Sequence, residues 1–557
     1  MIFIFILSYI LYGRFLSKAF ALDNNNPTPA VRYNDKKDFV PARPAILLGQ
    51  HFSAIAAAGP IVGPILAGLL FGWVPALLWI IIGSIFIGGV HDFASIVASV
   101  RHKAKSIAEL VKQYMTPTAY ISFLLFIFFA IIYIVIVFTD LTASTFMDRE
   151  FGGAVASSSL LYIMLAVLLG IALVKLKMPL AFGTAGGFAI LLVIIWQTQY
   201  FPFRMPSLLG LPSQKVWDIL LLLYCGVASI VPMWILLQPR GYLGGILLYT
   251  TVFVGFVGLF LGGGVPVQYT AFKGFFGSDG NTSLFPILFI TVACGACSGF
   301  HAIVSSGTTS KQLSKETNAR LIGYGGMLLE GLMALIALAT LMMLSPSNPL
   351  TSKNPNEIYA RGITTFLSYF GVDPTFAYTF ALLAFATFVY DTLDVATRLG
   401  RYIFNELLGW EKSQLSIYWG TLGTLLIPVL YFLLAKEQAW KVIWPIFGTA
   451  NQLLAALTLL TISVWLKKTS KKKHVFLITF VPMLVMLGMS VWSVWISVSR
   501  YFFSFTTQGL HFDFTGTTGT ILLGLAIYLV AESVYCLFLS KKKVSYEPQA
   551  SLSKNGR

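Results

Sequence analysis

Residues 49–64, GQHFSAIAAAGPIVGP, decide how this chain folds. The stretch is apolar enough to lie in a membrane, yet it holds Pro60 and Pro64 beside several glycines. A proline inside a helix removes one backbone donor and crowds the carbonyl four residues earlier. Because unpaired backbone groups are costly in lipid, opened backbone must line protein or water. The stretch therefore predicts a membrane helix that opens at residues 59–63 toward an internal cavity.

The whole chain has the composition of a membrane protein. Of its 557 residues, 57% are hydrophobic and 11% are charged, and the mean hydropathy is +0.79. Soluble proteins carry about 25% charged residues, so that class is excluded. At about 20 residues per crossing, the apolar runs predict an all-α polytopic membrane protein with about fifteen transmembrane helices. They fall at 2–20, 46–70, 73–99, 117–139, 158–176, 180–199, 216–237, 242–263, 285–307, 319–344, 375–395, 414–434, 442–465, 474–498 and 517–540.

Basic residues are distributed unevenly between the predicted loops. Most of the 38 Lys and Arg residues fall on one side when the loops alternate from an outside N-terminus. By the positive-inside rule that side is cytoplasmic, so the C-terminus lies inside. Topology in membrane lipid, and not nucleic-acid binding, explains the net charge of +16. The predicted units are an N-terminal anchor helix (1–20), a cytoplasmic gate-like segment (21–45), a transmembrane transporter domain (46–540) and a basic cytoplasmic tail (541–557).

Two other predicted helices are equally irregular. One covers residues 293–309, ACGACSGFHAIVSSGTT, which are nearly all small or hydroxylated. The other covers residues 444–452, WPIFGTANQ, where a proline is followed by a glycine and two side-chain amides. Half-helix ends that meet near the midplane are the usual binding-site construction of secondary transporters. The alternative is that Gly and Pro only permit close helix packing. The cavity interpretation predicts eight substrate-binding residues: His51, Gly59, Gly63, Ser298, His301, Ser305, Asn451 and Gln452.

Ionisable residues at membrane depth form a second set of candidates. Each costs about 3 kcal/mol even on a lenient insertion scale, so each indicates a functional site. Glu330 is mid-span without a local partner, and we expect it to exchange a proton; a neutral, hydrogen-bonded structural role is the alternative. Asp394 has Arg398 four residues later, so a helix-end salt bridge explains it as well as proton transfer does. The predicted coupling or gating set is Asp92, Glu330, Asp391, Asp394 and Arg398.

Other chemistries find less support in the residues. His51, His91, His301 and Asp92 would form a metal site with three nitrogens and one oxygen if their helices converge, but their spacing carries no local metal signature. The chain lacks a Gly-x-x-x-x-Gly-Lys-Ser/Thr phosphate loop and a Gly-x-Ser-x-Gly nucleophile elbow. We therefore expect neither ATP-driven transport nor an enzyme, and no cofactor beyond a coupling proton or sodium ion.

These segments together resemble the carbon starvation protein A family, also called the peptide transporter carbon starvation group. The resemblance runs from about residue 8 to 545, although His91 stands where some members carry Gln. It implies ion-driven uptake of small peptides or, in some members, pyruvate, across a bacterial inner membrane. It also implies an inverted-repeat core similar to that of the amino acid–polyamine–organocation transporters. The matching segments are residues 28–32 with Asn34, Asp35 and Asp38, residues 49–64, 91–93, 300–301 with 305–309, 323–327 with Glu330, Asp394 with Thr397 and Arg398, and 444–445 with Gly448 and 450–452.

The predicted function is proton-coupled secondary active uptake of small peptides. A pyruvate symporter and a ligand-binding membrane sensor of the same fold remain the alternatives, and the oligomeric state is left open. The repeat partner of the second helix also has two candidates, because the irregular ninth helix lies seven positions later instead of five. The other candidate is the seventh helix, which carries a proline kink at residues 231–234.

Overall fold

The computed structural model describes residues 2–35, 39–262, 266–277, 280, 282–410, 413, 415–434, 439–470, 472, 474–508 and 514–536. Within these ranges the protein is all-α, with isolated β-bridges in place of sheets. The predicted basic tail (541–557) and Asp38 lie outside the described residues. The predicted all-α class is confirmed.

Twenty-two α-helices follow one another along the described chain, joined or interrupted by short π and 3₁₀ segments. The α-helices are α1 (Ile2–Ala19), α2 (Pro29–Arg32), α3 (Pro44–Ile55), α4 (Gly59–Phe71), α5 (Trp73–Gly83), α6 (Gly89–Arg101), α7 (Ile107–Tyr114), α8 (Pro117–Phe146), α9 (Gly152–Val174), α10 (Leu180–Thr198), α11 (Ser213–Ile230), α12 (Leu237–Leu261), α13 (Leu284–Thr291), α14 (Ala293–Ala296), α15 (Phe300–Val304), α16 (Gly325–Met342), α17 (Pro355–Ser368), α18 (Pro374–Leu408), α19 (Ser416–Leu434), α20 (Ala439–Thr469), α21 (Leu477–Gln508) and α22 (Phe514–Val534). The π segments are Ser84–Gly88, Ser305–Thr309 and Arg320–Tyr324, and the 3₁₀ segment is Pro349–Ser352.

Membrane spans agree with the prediction except at one helix. In the described chain, 13 helices are long and apolar enough to cross a membrane, and α3 with α4 form a further span bent by 45°. These cover fourteen of the predicted fifteen. The remaining one, 285–307, which was predicted to be irregular, is divided into α13, α14 and α15 with 8, 4 and 5 residues.

The first helix break lies just before the predicted position. Residues 56–58 separate α3 from α4, whereas residues 59–63, which we expected to open, are helical. Pro60 sits in the first turn of α4, where its missing N–H costs nothing, so the helix restarts at this proline. The last turn of α3 finds a partner outside its own helix, because Thr392 Oγ1 donates to the Ala54 carbonyl at 3.0 Å.

The second predicted break exists and the third does not. Backbone at residues 297–299 is non-helical, and Cys297 is extended with φ −165° and ψ 135°. In contrast, α20 runs unbroken for 31 residues with Pro445 inside it. The prediction of an opened helix at residues 444–452 was therefore wrong.

Burial separates a central group of helices from a peripheral one. The apolar stretches of α18 and α20 are 94% and 100% buried, whereas those of α1 and α10 are 17% and 22% buried. Long helices with large buried fractions form the scaffold against which the short pieces α3, α14 and α15 pack. The peripheral helices present apolar side chains outward, as expected of a lipid-facing surface.

The segment 21–45 packs onto the loop between the second break and α16. The N–H of Asp23 donates to Glu316 Oε2 at 2.8 Å, and the N–H of Ala42 donates to the Gln312 carbonyl at 2.9 Å. The segment is therefore attached to the protein body where the structure describes it. Its role as a gate stays a prediction.

Candidate functional site

Two histidines and an aspartate form a hydrogen-bonded triad beside the second helix break. Asp92 lies in the first turn of α6, directly after the π segment Ser84–Gly88, and His301 lies in α15, directly after the break. His91 Nδ1 donates to Asp92 Oδ1 and His301 Nδ1 donates to Asp92 Oδ2, each at 2.8 Å. All three side chains are 0% exposed. Both oxygens of one buried carboxylate are thus occupied by imidazole donors.

Glu330 on α16 completes this cluster from the opposite side of His301. His301 Nε2 lies 3.2 Å from Glu330 Oε2, and Glu330 is also 0% exposed. The sequence suggested no partner for this carboxyl, because the imidazole comes from a different helix. Neither His301 Nε2 nor Glu330 Oε2 makes a hydrogen bond in the described chain, so the two atoms face each other at ion-pair distance only. A histidine and a glutamate therefore lie within ion-pair distance of each other in a dry interior.

His51 lies near this cluster but bonds elsewhere. Its Nδ1 is hydrogen-bonded to Thr309 Oγ1 at 2.8 Å, and its ring packs against Gly326, where a Cβ would come within 3.2 Å of His51 Cδ2. His51 and Thr309 line a cavity of about 20 Å³, which Asp391 also borders. A single water needs about 10–15 Å³, so this conformation has room there for one water-sized group. The cavity therefore lies between the C-terminal end of α3, which we call its tip, and a second charged cluster formed by Arg240, Asp391 and Asp394, the Arg240 cluster.

Asn451 holds the second break open from the continuous helix α20. Its side-chain Oδ1 accepts from the Phe300 N–H at 2.9 Å, and its carbonyl accepts from the Gly299 N–H at 3.1 Å. Its Nδ2 donates to Ser298 Oγ at 3.1 Å. These bonds satisfy the donors that a broken helix exposes. The structure therefore uses Asn451 and Ser298, predicted to bind substrate, to stabilise the opened backbone.

The remaining predicted substrate-binding residues divide between packing and cluster positions. A Cβ on Gly59 would lie 2.3 Å from Cys294 Cβ, and one on Gly63 would lie 2.4 Å from the Thr291 carbonyl oxygen. These two glycines permit close contact between α4 and residues 291–294, as the packing alternative stated. Gln452 donates to the Phe289 carbonyl at 3.1 Å, and Ser305 is buried in the π segment after α15.

Arg240 is a functional candidate that the sequence reasoning missed. It lies in the first turn of α12, is 0% exposed, and donates from its guanidinium to Asp394 on α18. Its Nε lies 3.2 Å from Asp391 Oδ1. Ser53 on α3 donates to Asp391, and Tyr224 OH donates to Asp394 Oδ2 at 2.8 Å. One buried cation thus contacts two carboxylates, and α3 contacts the group directly through Ser53.

Arg398 does not form the helix-end salt bridge considered for Asp394. Its NH2 group donates to the carbonyls of Ala228 at 2.8 Å and Val231 at 2.6 Å. These carbonyls lie at the C-terminal end of α11, where backbone acceptors have no partner in their own helix. The salt-bridge interpretation named the wrong cation, because the partner on α12 is distant in sequence. Asp394 therefore pairs with Arg240, whereas Arg398 binds main-chain carbonyls.

The four metal candidates do not gather around one point. Among the residues that the structure describes, no group of three or more His, Cys, Asp or Glu side chains is placed to hold a metal ion. Asp92 uses both oxygens to accept from His91 and His301, and the nearest polar contact of His51 is Thr309. The metal-site hypothesis is therefore not supported by the geometry.

Broken helices, a buried ionisable cluster and fourteen candidate spans define a multi-pass membrane protein with an internal polar core. The family model described as Carbon starvation protein CstA matches residues 1–351 and 346–493. The chain belongs to this family, as the resemblance indicated.

Two sequence relatives are similar to the chain over most of its length. The chain is similar to the peptide transporter CstA of Helicobacter pylori, with 32% identity over 88% of this chain and 80% of that protein. It is also similar to the pyruvate/proton symporter BtsT of Escherichia coli, with 29% identity over 88% of this chain and 80% of that protein. A solved structure of a manganese transporter mutant from Eremococcus coleocola aligns over 90% of this chain and 98% of its own, with 12% identity and a TM-score of 0.48.

Proposed function

We propose that this protein is a secondary active transporter that takes up small peptides together with protons. The observation that carries the proposal is the 3.2 Å contact between His301 Nε2 and Glu330 Oε2 beside a helix break. The family and the peptide transporters to which the chain is similar support the solute class.

The cluster has the charge states that proton coupling needs. With one proton shared between His301 and Glu330, and Asp92 ionised, the three side chains carry a net charge of −1. One further proton makes His301 a cation and Glu330 neutral, which brings the net charge to zero. A net charge is costly in the desolvated interior, so the neutral cluster is cheaper to keep buried than the charged one. Proton uptake therefore lowers the free-energy cost of any movement that keeps the cluster out of water. Asp92 holds His301 in place in both states.

The tip of α3 is the element best placed to pass this change on. Ser53 contacts the Arg240 cluster through Asp391, and His51 lies beside Gly326, four residues before Glu330. A group that enters the cavity beside His51 therefore touches a helix that also contacts the Arg240 cluster. Coupling follows if this end of α3 can move only when the cluster of His301, Asp92 and Glu330 is neutral.

The remaining assignments follow from this role. We place the protein in a bacterial inner membrane with the N-terminus outside, the C-terminus in the cytoplasm and segment 21–45 at the inner gate. The proton is the coupling ion, no cofactor takes part and no chemical conversion of the solute occurs. Pyruvate is the second candidate solute, because the chain is similar to a pyruvate/proton symporter over most of its length.

Uptake by proteoliposomes tests the proposal. Purified full-length protein is reconstituted, and labelled alanylalanine and labelled pyruvate are offered with an inward proton gradient, an inward sodium gradient or no gradient. We expect the proton gradient alone to concentrate the dipeptide inside. Concentration of pyruvate only would move the assignment to the second candidate, and binding without uptake of either solute would contradict transport.

A further inference from the structure

A large cavity opens on the side of the protein that carries the basic loops, apart from both charged clusters. Its volume is about 850 Å³, within the range of about 300–1,000 Å³ that small-molecule sites occupy. Six basic side chains and two acidic ones line it. We call this cavity the basic vestibule; its basic residues are Lys103, Lys105, Lys112, Lys311, Arg398 and Arg401.

The acidic residues of the vestibule already have partners. Glu109 lies 2.5 Å from the ammonium of Lys105 and 3.8 Å from that of Lys112. Glu406 accepts a hydrogen bond of 2.6 Å from Tyr120 OH. The two carboxylates therefore leave an excess of positive charge elsewhere in the vestibule.

Lys311 is a fixed cation in this wall. Its ammonium lies 5.3 Å from the ring centre of Tyr402 and 5.7 Å from that of Phe39, so two aromatic faces hold it. No carboxylate of the described residues lies within 4.0 Å of it. The structure thus presents an ammonium that is positioned by aromatic rings and not neutralised by an acid within the described chain.

Arg398 supplies a second, buried cation to the same cavity. Its side chain is only 4% exposed, and its NH2 group is bound to main-chain carbonyls that carry no formal charge. Its Nε has no hydrogen-bond partner in the described chain. A buried guanidinium with a donor to spare favours an anionic ligand, because such a donor is costly to leave unpaired.

We propose that the basic vestibule binds the carboxylate of the transported solute through Lys311 and Arg398. This rests on the proposed function, because a carboxylate is the group that peptides and pyruvate share. The vestibule is large enough for a dipeptide, whereas the cavity beside His51 admits one water-sized group. The vestibule is thus the open half of the pathway, and it holds the solute by its charge on the release side.

Equilibrium binding without any gradient tests this site apart from transport. Calorimetry on the purified full-length protein compares alanylalanine, its C-terminal amide and pyruvate. We expect the two carboxylates to bind and the amide to bind about tenfold more weakly. Rising salt is expected to weaken binding of the carboxylates and leave the amide unchanged.

Variants locate the site. Lys311→Gln is expected to weaken carboxylate binding about tenfold, whereas Lys311→Arg, which keeps the charge, stays within about twofold. Lys175→Gln removes an exposed lysine outside the vestibule and serves as the matched control. Lys103 lies at an exposed position of the vestibule, and Lys103→Gln is expected to weaken carboxylate binding about threefold through the longer-range electrostatic field. If Lys311→Gln does not fold, the Lys103 variant tests whether the vestibule binds carboxylates.

Two results would overturn the inference: the amide binding as tightly as the acid, or the vestibule variants binding carboxylates as wild type does. A protein that binds carboxylates through Lys311 but shows no gradient-driven uptake would leave the inference standing and reject the proposed function. Gradient-driven uptake together with unchanged carboxylate binding in the vestibule variants would reject the inference and leave the proposed function standing.

Discussion

His301 Nδ1 donates a hydrogen bond of 2.8 Å to Asp92 Oδ2 across 209 positions of the chain. One residue follows the helix break at residues 297–299, and the other follows the π segment Ser84–Gly88. The bond therefore joins two irregular points of the backbone inside a fully buried cluster. Because His301 is bonded to Asp92 and lies directly after the break, we expect a change in its protonation to change the backbone geometry of the break.

Glu330→Gln is expected to abolish proton-driven accumulation of solute while binding and counterflow exchange survive. The amide cannot take up the extra proton, but its NH2 group can donate to a neutral His301 Nε2, so the contact of 3.2 Å can persist. Uptake and counterflow are measured in proteoliposomes. Glu150→Gln, at an exposed glutamate paired with Arg361 at 3.5 Å, is the matched control. If the Glu330 variant still concentrates solute with the wild-type pH dependence, Glu330 is structural and a sodium ion becomes the better coupling candidate.

Asp92→Asn is expected to lower stability as well as uptake. The amide offers one acceptor and one donor group, whereas His91 and His301 both donate to Asp92 in the native cluster. One buried imidazole N–H then loses its acceptor, at a cost of about 1–3 kcal/mol. Thermal unfolding in detergent measures this loss. An unchanged unfolding midpoint, with Glu330→Gln as the comparison, would show that Asp92 does not hold the break in place.

Two of the three predicted helix breaks exist, and the first lies at residues 56–58 instead of 59–63. Prolines and glycines mark where a helix is weak, yet the outcome depends on what packs against it. Pro60 lies in the first turn of α4, where a proline costs little, whereas Pro445 lies inside α20, which is unbroken all the same. The small residues and the histidine within residues 293–309 predicted the second opening, which lies at residues 297–299, whereas residues 293–296 are helical. Its supporting residue Asn451 was identified, but its role as a hydrogen-bond partner was not.

Gly299→Ala is expected to destabilise the protein by about 1–3 kcal/mol, as overpacking typically does. A Cβ there would lie 2.4 Å from the Asn451 carbonyl oxygen and 2.5 Å from the Ala455 nitrogen, both main-chain atoms that cannot easily move. Gly186→Ala is the control, because a Cβ at that position meets nothing within 4 Å. Denaturation of both variants compares the two sites. Equal stability of the pair would mean that α20 does not pack against the break as closely as described.

Arg240→Gln is expected to cost about 3–5 kcal/mol, since it leaves Asp391 and Asp394 buried without their cation. Asp394→Asn alone is expected to impair folding or gating less severely, because Asp391 still pairs with the arginine. Removing both acids together with Arg240, as Asn, Asn and Gln, should recover most of the lost stability. Unfolding midpoints of the single and triple variants test this. A triple variant no more stable than Arg240→Gln would show that attraction between Arg240 and the two aspartates does not hold the cluster together.

Arg240 shows why part of the site was out of reach. An arginine between Pro239 and Gly241 is typical of a loop, and the predicted helices ended and began on either side of it. In the fold, α12 starts at Leu237, so the proline occupies a first turn and the arginine lies inside the protein. The two aspartates that make this burial tolerable come from α18. Local patterns identify charged residues at membrane depth, but the pairing of those residues depends on helix packing.

Proton movement itself tests the central claim most directly. Proteoliposomes that contain a pH-sensitive dye and the purified protein are given alanylalanine without any imposed gradient, and internal acidification is followed for wild type and Glu330→Gln. Our account predicts that the dipeptide acidifies the interior of wild-type vesicles and that Glu330→Gln vesicles stay at their starting pH while still exchanging labelled dipeptide. Equal acidification in both, or dipeptide uptake by wild type without acidification, would contradict proton coupling through the cluster of His301, Asp92 and Glu330.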